Sequence, residues 1–267
     1  MIVAQITDTH IKGEGVIAYG KVDTYSFLKQ NVDHINGLLP GVDAVIVTGD
    51  VTDEGSIEEF SALRQELDRL KMPYFVVPGN HDHRENLLQA FSDKTYLAEC
   101  QDFIQYSIDD FPFRLVAVDT LVTGKPYGEI SAPQLAGLDK TLSEEPEKPT
   151  LIFQHHHPFK SGIQFMDEQN LRNAEDELSL LKRHRQVKHI ACGHVHRACE
   201  TVLHGIGISI APNGAHSITL DMQDSDDISF MLEPPALRLF LLEETTGTIV
   251  SHLSYVGDFD GPHPFYS

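Results

Sequence analysis

The chain has 267 residues, 41% apolar and 22% charged, which suffices for a sizeable buried core and argues against a disordered chain. Its 40 Asp and Glu against 20 Lys and Arg leave a net charge of −20; so acidic a surface repels phosphate backbones, and argues against nucleic-acid polymers and anionic membranes as partners. No apolar run reaches the ~18 residues of a membrane span and no signal-peptide pattern is present; Cys100, Cys192 and Cys199 form no disulfide framework, so reduced thiols in the cytoplasm are expected.

In chain order, residues 2–6 read as a β-branched strand. Leu28, Val32, Ile35 and Leu39 then recur at helical spacing up to Pro40-Gly41. A second buried strand spans 44–48. Ser56 and Glu59 form a capping box ahead of the apolar face Phe60, Leu63, Leu67 and Leu70. Strands are expected at 74–77, 103–108, 113–118, 150–154 and 187–192, with helices at 133–142 and 167–184. Beyond residue 201 the pattern is all strand, at 206–210, 217–220, 228–232, 237–242 and 248–253, and the acidic stretch 221–227 reads as a solvated hairpin tip. Alternating βα units followed by β-rich sequence predict a layered α/β core with mixed sheets, in one domain over 1–267.

Five segments place metal-ligand side chains just after a predicted strand. They are Asp8-Thr-His10, Gly49-Asp50-Val-Thr-Asp53, Gly79-Asn80-His81-Asp82, His155-His156-His157-Pro158 and Gly193-His194-Val-His196. Ligands of α/β sheets gather beyond the carboxyl ends of strands, so the five loops are expected to share one crevice. Each motif alone has an ordinary turn reading; all five together, each at a strand end, do not. Oxygen and imidazole donors suit two first-row metal ions, and thiolates for a zinc–sulfur site are missing.

The ordered motifs resemble the calcineurin-like metallophosphoesterases over residues 1 to about 200, and within them the bacterial class III cyclic nucleotide phosphodiesterases and the related glycerophosphodiesterases. Tyr19-Gly20 and the C-terminal stretches 233–239 and 261–265 add to that likeness. The resemblance implies a four-layer αββα sandwich with two mixed sheets, residues 201–267 completing the second sheet and the substrate pocket. It implies one metal site of Asp8, His10, Asp50 and His196 and a second of Asp50, Asn80, His156 and His194, with Asp50 shared. His156 is chosen because the family ligand stands two residues before the proline; His155 and His157 are then expected to point elsewhere. Phe159 departs from the second proline of many relatives.

Two such ions, divalent or trivalent (Mn, Fe, Co or Zn), would supply a bridging hydroxide for in-line attack on phosphorus. His81 is the candidate to act on the phosphoryl group or leaving oxygen, with Asp53 orienting its ring; Asn80, His81 and His196 are the candidate substrate contacts. Glu54-Gly55 stands where the superfamily's protein phosphatases carry Arg-Gly, so a dianionic monoester loses a clamp. A small phosphodiester, with 3′,5′-cyclic nucleotides favoured, is the expected substrate. The alternatives are a glycerophosphodiesterase and, in another class, a catalytically silent metal-binding regulator. Asn213, His216 and Arg238 are further residues that could approach the site, and a homodimer is left open.

Overall fold

The computed structural model describes residues 1–223 and 228–266. The first half carries β1 (Ile2–Ile6), α1 (Thr24–Gly37), β2 (Ala44–Thr48), α2 (Ile57–Leu67), β3 (Tyr74–Val77), α3 (Arg84–Ala90), β4 (Tyr106–Ile108) and β5 (Arg114–Ala117). There follow α4 (Ala132–Glu144), β6 (Thr150–Phe153), α5 (Gln164–Asp167), α6 (Ala174–Leu181) and β7 (Val187–Cys192). The remainder is β8 (Cys199–Leu203), β9 (Ile206–Ile210), β10 (Ser217–Ile218), β11 (Phe230–Met231), β12 (Ala236–Glu243) and β13 (Thr248–Tyr255).

One sheet has the order β13-β12-β1-β2-β3 and the other β4-β5-β6-β7-β9-β8. β1, β2 and β3 are parallel, as are β5, β6, β7 and β9; antiparallel strands flank both sets. Every residue of β2 is buried, because a parallel strand covered on both faces needs apolar side chains on both. Val3, Ile46, Val77, Leu115, Phe153 and Phe240 fill the space between the sheets. Leu28, Val32, Phe60, Leu63 and Leu87 seat α1, α2 and α3 on the first sheet. Leu138, Leu142, Leu178 and Leu181 seat α4 and α6 on the second. The layers therefore run α, β, β, α as expected. Gln5, fully buried, ties the two sheets: its Nε2 donates to Thr48 Oγ1 and to the Cys192 carbonyl, both at 2.8 Å.

Three expectations change. The helix expected at 167–184 shortens to α6, because Asp167 instead closes α5, its carboxylate accepting from the backbone of Ser161 and Gly162, and Asn173 bonds the backbone of Ile130. The β-rich C-terminal part completes both sheets: β8 and β9 join the second, but β12 and β13 extend the first beside β1. α3 and β8 went unpredicted, α3 for want of an apolar stripe beyond its single buried residue, Leu87. β10 pairs with β11 as a hairpin, and residues 224–227 of its expected tip lie outside the described residues. All three cysteines are free. Among the described residues no helix is long and apolar enough to cross a membrane.

Candidate metal centre

The parallel strands of both sheets deliver their carboxyl ends to one place. Asp8 stands two residues beyond β1, Asp50 two beyond β2, His155 two beyond β6 and His194 two beyond β7, with Asn80 three beyond β3. The backbone turns sharply there: Asp8, His10, Asp50, His194 and His196 all have positive φ, between 40° and 76°. Left-handed conformations cost non-glycine residues energy and collect where the surrounding structure enforces them for function. Crowding enforces them here. A Cβ on Gly193 would overlap Thr7 Oγ1, and one on Gly79 would overlap the Asp50 carboxylate. The fully buried strand ends thus pass one another at backbone contact.

Two groups of donors meet across Asp50. On one side His10 Nε2 lies 3.1 Å from His196 Nε2 and 3.7 Å from Asp50 Oδ2, and His196 Nε2 lies 3.4 Å from Asp8 Oδ1. On the other, His155 Nε2 lies 3.3 Å from Asp50 Oδ2, 3.2 Å from Asn80 Oδ1 and 3.2 Å from His194 Nδ1. Backbone amides hold the carboxylates. His194 N–H donates to both Asp8 oxygens at 3.0 Å, and His81 N–H to Asp50 Oδ1 at 2.9 Å. The buried Asp82 carboxylate accepts from the N–H groups of Gly79, Val51 and Thr52, pinning the loop after β3 to the loop after β2.

Burial dominates the electrostatics. It pushes Asp8 up to about 6 and drives His194 and His196 well below the usual histidine range, which keeps these imidazoles neutral and able to ligate. Burial also opposes ionisation of Asp50, yet the charge and hydrogen bond of His155 hold it well below the usual carboxylate range. Asp50 in turn raises His155 to about 9 against the effect of burial. The protons so held stand where cations would compensate the same carboxylates. Imidazoles packed nitrogen to nitrogen around shared carboxylates fit divalent ions, and the sets Asp8–His10–His196 and Asp8–Asp50–His155 each have ligand atoms within 4.8 Å of one another.

The expected residues Asp8, His10, Asp50, Asn80, His194 and His196 all converge. His156 does not stand where it was expected. His155 turns into the centre, its Nδ1–H donating to the Thr48 carbonyl at 2.8 Å, while His156 Nδ1 faces Thr120 Oγ1 at 2.8 Å and its Nε2 the Pro126 carbonyl at 3.3 Å. His156 Nε2 or Nδ1 still lies within ligand reach of His155 and His194. Counting back from the proline points to His156; counting two residues on from the strand end, as for Asp8 and Asp50, points to His155. His157 is buried against Phe159, with neither ring nitrogen partnered.

Asp53 also differs from its expected role. Its backbone carbonyl, not its carboxylate, accepts from His81 Nδ1, at 2.8 Å. The carboxylate faces His10 Nδ1 at 3.4 Å, Lys12 Nζ at 2.5 Å and Tyr19 Oη at 2.8 Å. Burial opposes its ionisation, but these three partners hold it well below the usual range. Asn213 and His216 do approach: the Asn213 amide donates to the Asp8 carbonyl, and the His216 ring lies 4.8 Å from that of His196. Arg238 is held elsewhere, by Glu200, Ser251 and the Ile210 carbonyl. Thr120 was missed, since a lone threonine after a strand carries no sequence signal.

Comparison with known proteins follows the same pattern. A probable glycerophosphodiester phosphodiesterase of Arcobacter nitrofigilis is 41% identical over all of this chain and 97% of its own length. A 3′,5′-cyclic adenosine monophosphate phosphodiesterase of Escherichia coli is 28% identical over 79% of this chain and 75% of its own. Among solved structures, a dimetal phosphatase of Danio rerio superposes with a TM-score of 0.66 at 17% identity, over 96% of this chain and 99% of its own, a likeness of fold. The profile of the calcineurin-like phosphoesterases matches residues 1–198, and the chain belongs to that family of metal-dependent phosphoesterases.

Proposed function

We propose that the chain is a binuclear hydrolase of small phosphodiesters. Asp8, His10, Asp50 and His196 would hold one ion and Asp50, Asn80, His155 and His194 the other, with His155 replacing the expected His156. The observation that carries the reading is Asp50 Oδ2, which lies 3.7 Å from His10 Nε2 and 3.3 Å from His155 Nε2, where one carboxylate can serve two sites. Nitrogen and oxygen donors accept Mn, Fe, Co or Zn. Such ions supply Lewis acidity to phosphoryl oxygens and lower the pKa of water. His81 has a fixed Nδ1, so its Nε2 is the group that can hold or move a proton at the leaving oxygen.

Diesters are favoured over monoesters by the charges nearby. Lys12 is spent on Asp53 and Glu54, and Arg84 on Asp119, so neither is free to clamp a dianion. The relative matched along the whole chain favours a glycerol-linked diester; the cyclic nucleotide phosphodiesterase relatives favour the second reading, a cyclic nucleotide. The interleaving of β12 and β13 with β1 supports a single domain over 1–267, and the −20 charge and free thiols support a cytoplasmic enzyme acting on small molecules. The test is a panel of cyclic AMP, cyclic GMP, glycerophosphodiesters and a monoester with Mn²⁺, Co²⁺ and Zn²⁺. A diester should have the highest kcat/KM; a monoester ahead of every diester would overturn the assignment.

A further inference from the structure

A cleft of about 510 Å³ between the start of α3 and the loop after β5 touches the metal centre. Asn80, whose Oδ1 faces His155, forms its inner end. Two others, of about 600 and 400 Å³, open beside Pro73 and Phe111 and beside His34 and Val256, and share no residue with the centre. A diester bound at the centre carries two substituents, and the cleft offers room for one of them.

Resting on the diester reading above, we propose that this cleft is the subsite for one alcohol substituent, built for a small polyhydric alcohol and not for a nucleoside. Its floor is preorganised. Arg84 Nε and Nη2 donate to the fully buried Asp119 carboxylate at 2.6 and 2.9 Å, and Asp119 also accepts from the N–H groups of Ile104 and Leu121 at 2.9 Å. That pair ties the first residue of α3 to the opposite wall, so the cleft width is fixed before a ligand arrives. Its walls carry Gln101 and Thr123, which can exchange hydrogen bonds with hydroxyl groups. No phenylalanine, tyrosine or tryptophan lines it and its one ring is the small imidazole of His83, so a nucleobase would find less stacking surface than a base-binding groove offers. Glu85 and Asp102 line it without an ion pair among the described residues and repel an anionic substituent.

Thr123 is exposed on the wall, so Thr123→Trp narrows the cleft without disturbing the core, and Gln101→Ala removes a hydroxyl partner while leaving the space. Both variants should keep the parent's metal-to-protein ratio. For glycerophosphoglycerol kcat/KM should fall about 10-fold or more in Thr123→Trp, with KM rising in Gln101→Ala. For methyl p-nitrophenyl phosphate, which can seat a methyl group in the narrowed cleft, kcat/KM should stay within about 2-fold. If the parent hydrolyses both diesters and the variants lose nothing on glycerophosphoglycerol, or lose equally on both, the subsite is wrong and the diester reading stands. If the parent hydrolyses a monoester and neither diester, the diester reading itself falls and the subsite with it.

Discussion

His81 Nδ1 donates to the backbone carbonyl of Asp53 at 2.8 Å, while the Asp53 carboxylate turns away to His10, Lys12 and Tyr19. One residue thus orients the proposed proton carrier through its main chain and a proposed ligand through its side chain. The two roles separate by mutation. Asp53→Asn keeps the carbonyl and so keeps His81 in place, but removes the anion behind His10. The affinity of the first ion should drop roughly 10–100-fold, the usual scale for losing a group that orients a ligand. Metal titration by calorimetry checks this; unchanged affinity together with a large fall in kcat would contradict it.

His81→Ala should behave in the opposite way. Both ions should remain, and kcat on an alkyl diester should fall roughly 10²–10⁴-fold, the scale of general acid–base help. A p-nitrophenyl leaving group needs less protonation, so its deficit should be smaller. Elemental analysis beside kinetics on both substrates decides; loss of an ion would make His81 structural.

Within the histidine triplet, His155→Ala should lose one ion of two, since it removes the nitrogen shared among Asp50, Asn80 and His194. His156→Gln should keep both, because the His156 ring nitrogens are engaged by Thr120 and the Pro126 carbonyl. The metal content of the purified variants tests the pair, and the reverse pattern would restore His156 as ligand.

Much of this centre was legible in the sequence. Strand ends announce themselves by β-branched runs, and Asp8, Asp50 and His194 follow those runs at a fixed offset. The triplet was ambiguous because three adjacent imidazoles carry the same donors; which one turns inward depends on the Thr48 carbonyl contributed by β2 of the other sheet. The Asp53 carboxylate could not be separated from its carbonyl by residue type. Likewise the late start of α6 depends on Asn173 bonding the distant backbone of Ile130, a tertiary override of helical periodicity.

Glu177 on α6, bonded to the residue that precedes His155, gives a pH prediction. Its carboxyl is wholly buried, accepts from Gln154 Nε2 at 3.2 Å, and is pushed by burial up to about 7. The folded chain therefore holds a proton that the unfolded chain has released between about pH 4.5 and 7. The stabilisation is fully present below the ordinary carboxyl range and is lost as pH rises through about 7. Glu177→Gln mimics the protonated form. It should stabilise on the order of 3 kcal/mol at pH 8 and progressively less toward pH 5. The difference in Tm between variant and parent across that range is the measurement; a gap that is flat with pH would refute the buried acid.

The central claim is two ions about a shared Asp50, one of them closed by His155. Anomalous diffraction from crystals saturated with Mn²⁺ tests it most directly. The account predicts two peaks flanking the Asp50 carboxylate, one against His10 and His196, the other against Asn80, His155 and His194. A single peak, or a second peak bound by His156 with His155 turned away, would contradict it.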